Sequence, residues 1–219
     1  MEARLSGPTD IAGFRTEAQH LLAQQVPPDD VHWNMPAPDC VHAITTALPA
    51  EPRPRGVPRA ASAIVPGSFA RLCEFVVQHR DPERFTLLYR LLWRLVHEPG
   101  LRHDPADVDM ARAQHMAHAV RRDIHKLKSN TRFSTLAHPH VPGASLQLAW
   151  CEPAHHILET VAPWLAKRNA EARWALMTPE RCADYDGKTL RYAPGPVPPL
   201  APGASDEQLL ATWQELFPR

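Results

Sequence analysis

Three residues close together, Glu152, His155 and His156, have the types and spacing for proton transfer. They follow an apolar run, Leu146 to Trp150, that reads as a strand, and Glu152-Pro153 is predicted to open the helix after it. A helix start presents side chains and free amides to a ligand. A Glu beside a His can tune an acid-base pair acting on a base or nucleotide. The plainer reading makes Glu152 a helix cap, with one imidazole packed and the other in solvent.

A second constellation is electrostatic. Arg121, Arg122, Lys126, Lys128 and Arg132 crowd one short stretch with a single acid, Asp123. A helix is predicted from Asp104 or Asp107 to about Lys128. At about 100° per residue, Ala113, Met116, Ala117, Val120, Ile124 and Leu127 share one face. His115, His118, Arg122 and His125 take the opposite face, flanked by Arg121, Lys126 and Lys128. Cations at successive turns suit an anion, most naturally nucleic-acid phosphate, and the expected interface is Arg121, Arg122, His125, Lys126, Lys128 and Arg132. The competing reading is a solvated helix face whose charge complements the helix C-terminus.

Other chemistry finds less support. His115-x-x-His118, His138-x-His140 and Cys151 near His155-His156 have spacings that metals use, but no signature supplies three or four ligands. No metal is expected. The phosphate loop G-x-x-x-x-G-K-[ST], the dinucleotide fingerprint G-x-G-x-x-G and the nucleophile elbow G-x-S-x-G do not occur, so no cofactor is expected either. Trp150, Trp164, Trp174 and Trp213 read as core or interface rather than as base-stacking platforms.

The elements that must position these groups are mostly helical. A first helix capped by Thr9 or Asp10 carries Ile11, Phe14, Ala18, Leu21 and Leu22. Further helices are predicted over 68–79, over 83–98 after the Asp81-Pro82 start signal, and over 205–217. Residues 83–98 are apolar nearly all round and belong in a core. A strand over 173–177 and a hairpin turning at Asp186-Gly187 join the strand at 146–150. The chain has 24 Pro and 9 Gly in 219 residues, with Pro clusters at 49–66 and 194–202. These divide it into an N-terminal helical segment (1–48), a connector (49–66), a core (67–193), a second connector (194–204) and a C-terminal helix (205–219). The expected fold is α+β, a helix-rich single domain with a small sheet in its second half. Basic and acidic side chains balance at 24 each, so no whole-molecule field draws in nucleic acid or membrane. No apolar run is long enough to span a bilayer. Cys40, Cys73, Cys151 and Cys182 lie far apart and, with no secretory signal, read as reduced thiols of a cytoplasmic protein.

Several long stretches carry a family resemblance. HRDPERFTLLYRLLWRLVHEPGL (79–101), VRRDIHKLKSNTRF (120–133), WCEPAHHILETVAPWLAKRN (150–169) and RWALMTPERCADYDGKTL (173–190) resemble the domain of unknown function 4130 family, described as a probable DNA metabolism protein. Residues 5–33 also fit its N-terminal pattern. The resemblance implies a context of DNA repair or modification. The partners it implies are DNA and either a radical S-adenosylmethionine protein or a uracil-DNA-glycosylase-like protein. The leading expectation is an accessory protein that binds nucleic acid through the basic helix face. A Glu/His enzyme and a protein-interaction module remain open beside it. Family members usually carry a basic tail after the last helix, where this sequence reads LFPR. The resemblance then implies that the tail's contact is lost or comes from another protein.

Overall fold

The structure, a computed structural model, describes residues 1–35, 45–46, 66–98, 100–101, 104 and 106–218. Its contacts fall into two compact units, one of Met1–Pro36 and Pro54–Arg122, the other of Ala37–Arg53 and Asp123–Arg219.

The first unit is mainly helical: α1 (Ile11–Ala23), α2 (Gly67–Val76), α3 (Arg84–His97) and the first turns of α4 (Val108–Asn130). Asp10 caps α1 by accepting from the Gly13 amide at 2.8 Å. The stripe expected on α1 packs inward, with Phe14, Ala18, Leu21 and Leu22 buried. α3 is the centre of the core, burying Phe85, Leu87, Leu88, Tyr89, Leu91, Leu92 and Leu95. It begins at Arg84 rather than Glu83, and Asp81 ties the preceding turn by accepting from the Glu83 amide at 2.8 Å. Two short strands, β1 (Glu2–Arg4) and β2 (His32–Asn34), pair in parallel. Nothing in their local pattern announces them.

Arg84 is 2% exposed, and its guanidinium donates to the carbonyls of Val77, Asp81 and Pro8 at 2.9, 3.0 and 2.8 Å. A buried guanidinium is tolerable only with such acceptors.

The second unit is built on a sheet of order β3-β8-β7-β6-β5-β4. Five of its strands lie in the second half of the chain: β4 (Ser134–Ala137), β5 (Ser145–Trp150), β6 (Trp174–Met177), β7 (Arg181–Tyr185) and β8 (Leu190–Pro194). The short edge strand β3 (Thr45–Thr46) completes it. The α+β class and the placement of the sheet agree with expectation. β5 and β6 are parallel and joined through α5 (Leu158–Arg168), while the other pairs are antiparallel. β6 is buried along its whole length, as a strand covered on both faces must be. One face packs Leu146, Leu148, Ala175, Met177 and Cys182 with Trp213 and Phe217 of the last helix, α6 (Asp206–Leu216), and its neighbour. α5 turns Val161, Ala162 and Leu165 inward and lies against β7 and β8.

Two features of this unit follow from local chemistry. Gly187 takes φ 94° in the β7–β8 turn, a conformation glycine adopts without strain. Ser205 caps α6 in a capping box with Gln208. One expectation needs correction. Glu152-Pro153 does not open α5, which starts at Leu158. Residues 151–157 form a loop instead, because its backbone is tied from a distance: the Cys151 amide donates to Met177 O at 3.0 Å and the His155 amide to Asp123 Oδ2 at 3.0 Å. Pro163 sits inside α5 without ending it. The first Pro cluster lies outside the described residues except for Pro66, which caps α2. No described helix is long and apolar enough to cross a membrane.

Candidate functional site

The two faces of α4 separate as its sequence requires. Ala113, Met116, Ala117, Val120, Ile124 and Leu127 are all buried. His115, His118, Arg122, His125 and Lys126 are exposed. Asp107 caps the helix by accepting from the Met110 amide at 2.8 Å. At the far end, Ser129 Oγ and Thr131 Oγ1 donate back to the carbonyls of His125 and Leu127 at 2.8 and 2.5 Å, which closes the last turn.

The predicted cations differ in their engagements. Arg121 stacks its guanidinium on Phe75, 4.2 Å from the ring centroid, and lines a cleft of about 820 Å³ with Phe69, Leu72, Leu95 and Met110. Arg122, Lys126 and Arg132 are exposed, and none has an ion-pair partner among the described residues. Lys128 reaches the indole of Trp164 on α5, with Nζ 4.7 Å from the ring centroid. Arg168, one turn after Trp164, places its guanidinium carbon 5.2 Å from the same ring. Helical spacing puts Trp164, Lys167 and Arg168 on one side of α5. The lone acid of the stretch, Asp123, is occupied with the His155 amide. Cations from two helices thus gather around one ring with no carboxylate to match them among the described residues.

The acid-base candidates lie in the loop at the C-terminal end of β5, beside the end of its parallel neighbour β6. In open α/β sheets such strand ends are a common location for ligand sites. Glu152 is exposed and accepts the indole N–H of Trp150 at 3.0 Å. Glu180, in the β6–β7 turn, meets an imidazole, with Oε2 2.6 Å from His156 Nδ1. His156 thus has a carboxylate partner, and Glu152 is engaged with Trp150. His155 contributes its amide to the loop's tether. The Cys151 sulfur sits 3.7 Å from Thr131 Oγ1, and burial pushes its thiol pKa up, which disfavours the thiolate a nucleophile or metal ligand requires. Burial likewise holds Cys73 and Cys182 at about 12. Among the described residues no three His, Cys, Asp or Glu converge as a metal site would require.

A family model described as domain of unknown function, DUF4130, matches residues 82–218. The chain belongs to the DUF4130 family. No curated protein and no solved structure matches it. The DUF4130 match begins just before α3 and takes in α4, β4 to β8 and α6, and with them every predicted site residue. Residues 5–33, expected from sequence to fit the family's N-terminal pattern, lie outside the match.

Within this DUF4130 region, Trp164 is expected from sequence to be core or interface, and Arg168 and Glu180 carry no expected site role. The i, i+4 spacing of Trp164 and Arg168 was a usable signal on α5. Glu180 had none, since a carboxylate in a turn is ordinary. Its position depends on Gly195, where a Cβ would come within 2.1 Å of the Pro179 carbonyl oxygen. The Gly195 amide donates to Glu180 O at 2.9 Å, so glycine allows the chain after β8 to clamp this turn.

Proposed function

We propose that this DUF4130 protein is an accessory factor of DNA repair or modification, working in the cytoplasm and binding nucleic acid through the basic face of α4. The observation that carries the reading is the unmatched charge: Arg122, Lys126, Lys128 and Arg132 have no carboxylate partner among the described residues, in a chain whose total charge is zero. Cations left unpaired on an ordered element suit a polyanion, and phosphates supply most of the affinity in such contacts. The family resemblance adds the DNA context and a partner of the radical S-adenosylmethionine or uracil-DNA-glycosylase-like class.

The test is fluorescence anisotropy with labelled DNA at low salt. Wild-type protein is expected to bind, with affinity falling steeply as salt rises. Arg122→Ala and Lys126→Ala are each expected to weaken binding and to lower the log-log salt slope by about 0.9. Absence of binding, or variants indistinguishable from wild type, overturns the reading.

A second reading is favoured by one observation, the His156–Glu180 contact at 2.6 Å beside the ends of the parallel strands. We propose it as the acid-base pair if the protein is an enzyme acting on a base or nucleotide. In a reconstituted system with its partner, His156→Ala and Glu180→Gln should each abolish turnover, and Glu152→Gln should not. Full activity in the first two removes the enzymatic reading.

A further inference from the structure

We propose that Lys128 and Arg168, brought together over Trp164, form a phosphate clamp for double-stranded nucleic acid. The inference rests on the nucleic-acid reading above and specifies its ligand. Three observations support it. The two cations come from different helices yet approach one indole, at 4.7 and 5.2 Å. Neither has a carboxylate partner among the described residues, so beyond the indole face no described group offsets their positive charge until an anion arrives. Lys167 and Arg132, both exposed, extend the positive surface from α5 and from the segment after α4.

The choice of duplex follows from the aromatic side chains. Single-strand sites stack bases on exposed rings. In the second unit no described Phe, Tyr or Trp is exposed, and Phe133, Trp150 and Trp164 are half-buried. Trp174, Tyr185, Tyr192, Trp213 and Phe217 are buried. Phe133 meets Trp174 edge-on at 6.4 Å, and Trp150 has its indole N–H on Glu152. The ring of Trp164 already carries two cations. A surface that offers charge without stacking favours the ligand of higher charge density. That ligand is the duplex, which releases about 0.9 counterions per neutralised phosphate against about 0.7 for a single strand. The indole acts as a positioning residue, holding two flexible side chains at a fixed place.

The experiment measures a labelled duplex and either strand alone by anisotropy, from about 50 to 200 mM salt. The full chain, Lys128→Ala/Arg168→Ala, Trp164→Phe and Trp164→Leu are compared, with circular dichroism melts to confirm folding. The duplex should bind at least about tenfold more tightly than the strand, and the double variant should lose about 2 from the duplex salt slope. Trp164→Phe, which keeps an aromatic face, should retain most duplex affinity, and Trp164→Leu should lose part of it. If the strand binds as tightly as the duplex, or Trp164→Leu removes strand binding, the ring is a stacking platform and the clamp is overturned, while the nucleic-acid reading stands. An unchanged slope in the double variant also overturns it. If wild type binds neither form, both readings fall together.

Discussion

The two ends of α4 treat charge in opposite ways. At its start, Asp107 and Asp109 hold the Arg94 guanidinium at 2.7 and 3.1 Å, Arg90 adds a looser contact to Asp109, and Arg112 meets Asp81 at 2.9 Å. At its finish, Lys126 and Lys128 are followed by Arg132, and no carboxylate meets any of them among the described residues. The first set fixes the α3–α4 packing, and each side chain there answers a neighbour. The second set meets no acid among the described residues, and Lys128 has only the Trp164 ring. Neutral overall composition conceals this division, because acids and bases balance in number but not in place.

The comparison predicts that matched charges govern stability and unmatched ones do not. The largest effect belongs to Asp184, a matched acid in the sheet. It is 1% exposed, accepts from the Arg191 guanidinium and takes the Trp213 indole N–H at 2.8 Å, joining β7, β8 and α6. Asp184→Ala leaves a half-buried guanidinium and a buried donor unpaired, and should cost about 3–5 kcal/mol. Urea denaturation checks this. A loss below about 1 kcal/mol would mean that matching contributes little, and the contrast between the ends of α4 would lose its meaning.

A smaller effect is expected at the matched end of α4 itself. Burial alone would raise the Asp107 carboxyl, but the hydrogen bond and charge of Arg94 and the Met110 amide together hold it below its ordinary value. Its folded pKa is thus lower than its unfolded one of about 3.9. The stabilisation is complete above about pH 4 and is lost as the pH falls through the folded pKa. Wild-type protein should destabilise on acidification below about pH 4, and Asp107→Asn should flatten that dependence. At neutral pH the same variant should cost about 1–2 kcal/mol, since the amide still caps the helix but no longer opposes Arg94. Denaturation at several pH values measures both.

The local part of this arrangement follows from the sequence alone. The six apolar positions of α4, the apolar wrap of α3 and the Asp186-Gly187 turn each follow from periodicity or from one residue's conformational freedom. What local pattern could not show depends on distant partners. Glu152-Pro153 has the form of a helix start, yet the loop is held open by Asp123 and Met177, far away in sequence. The pairing of β1 with β2 joins two three-residue strands too short to carry a period. His156 meets Glu180 only because the β6–β7 turn is clamped beside Gly195. The basic residues stand out in the sequence, but the absence of acids beside them among the described residues does not, nor does the meeting of Lys128 and Arg168 at Trp164.

The smallest expected effect is the sharpest test of the comparison. Each cation over Trp164 gains about 0.5–1 kcal/mol from the ring at a partly exposed site, and each is repelled by the other. These contributions oppose, so Lys128→Ala and Arg168→Ala should each change stability by less than about 0.5 kcal/mol. The double variant should show a coupling of sign opposite to that of an ion pair, because removing one cation relieves the other. Added salt should reduce the coupling, as screening weakens repulsion between exposed charges. A double-mutant cycle by urea denaturation at low and high salt reads all three quantities. Coupling of the ion-pair sign would reveal an anion already shared by the two side chains, and the end of α4 would then be as matched as its start.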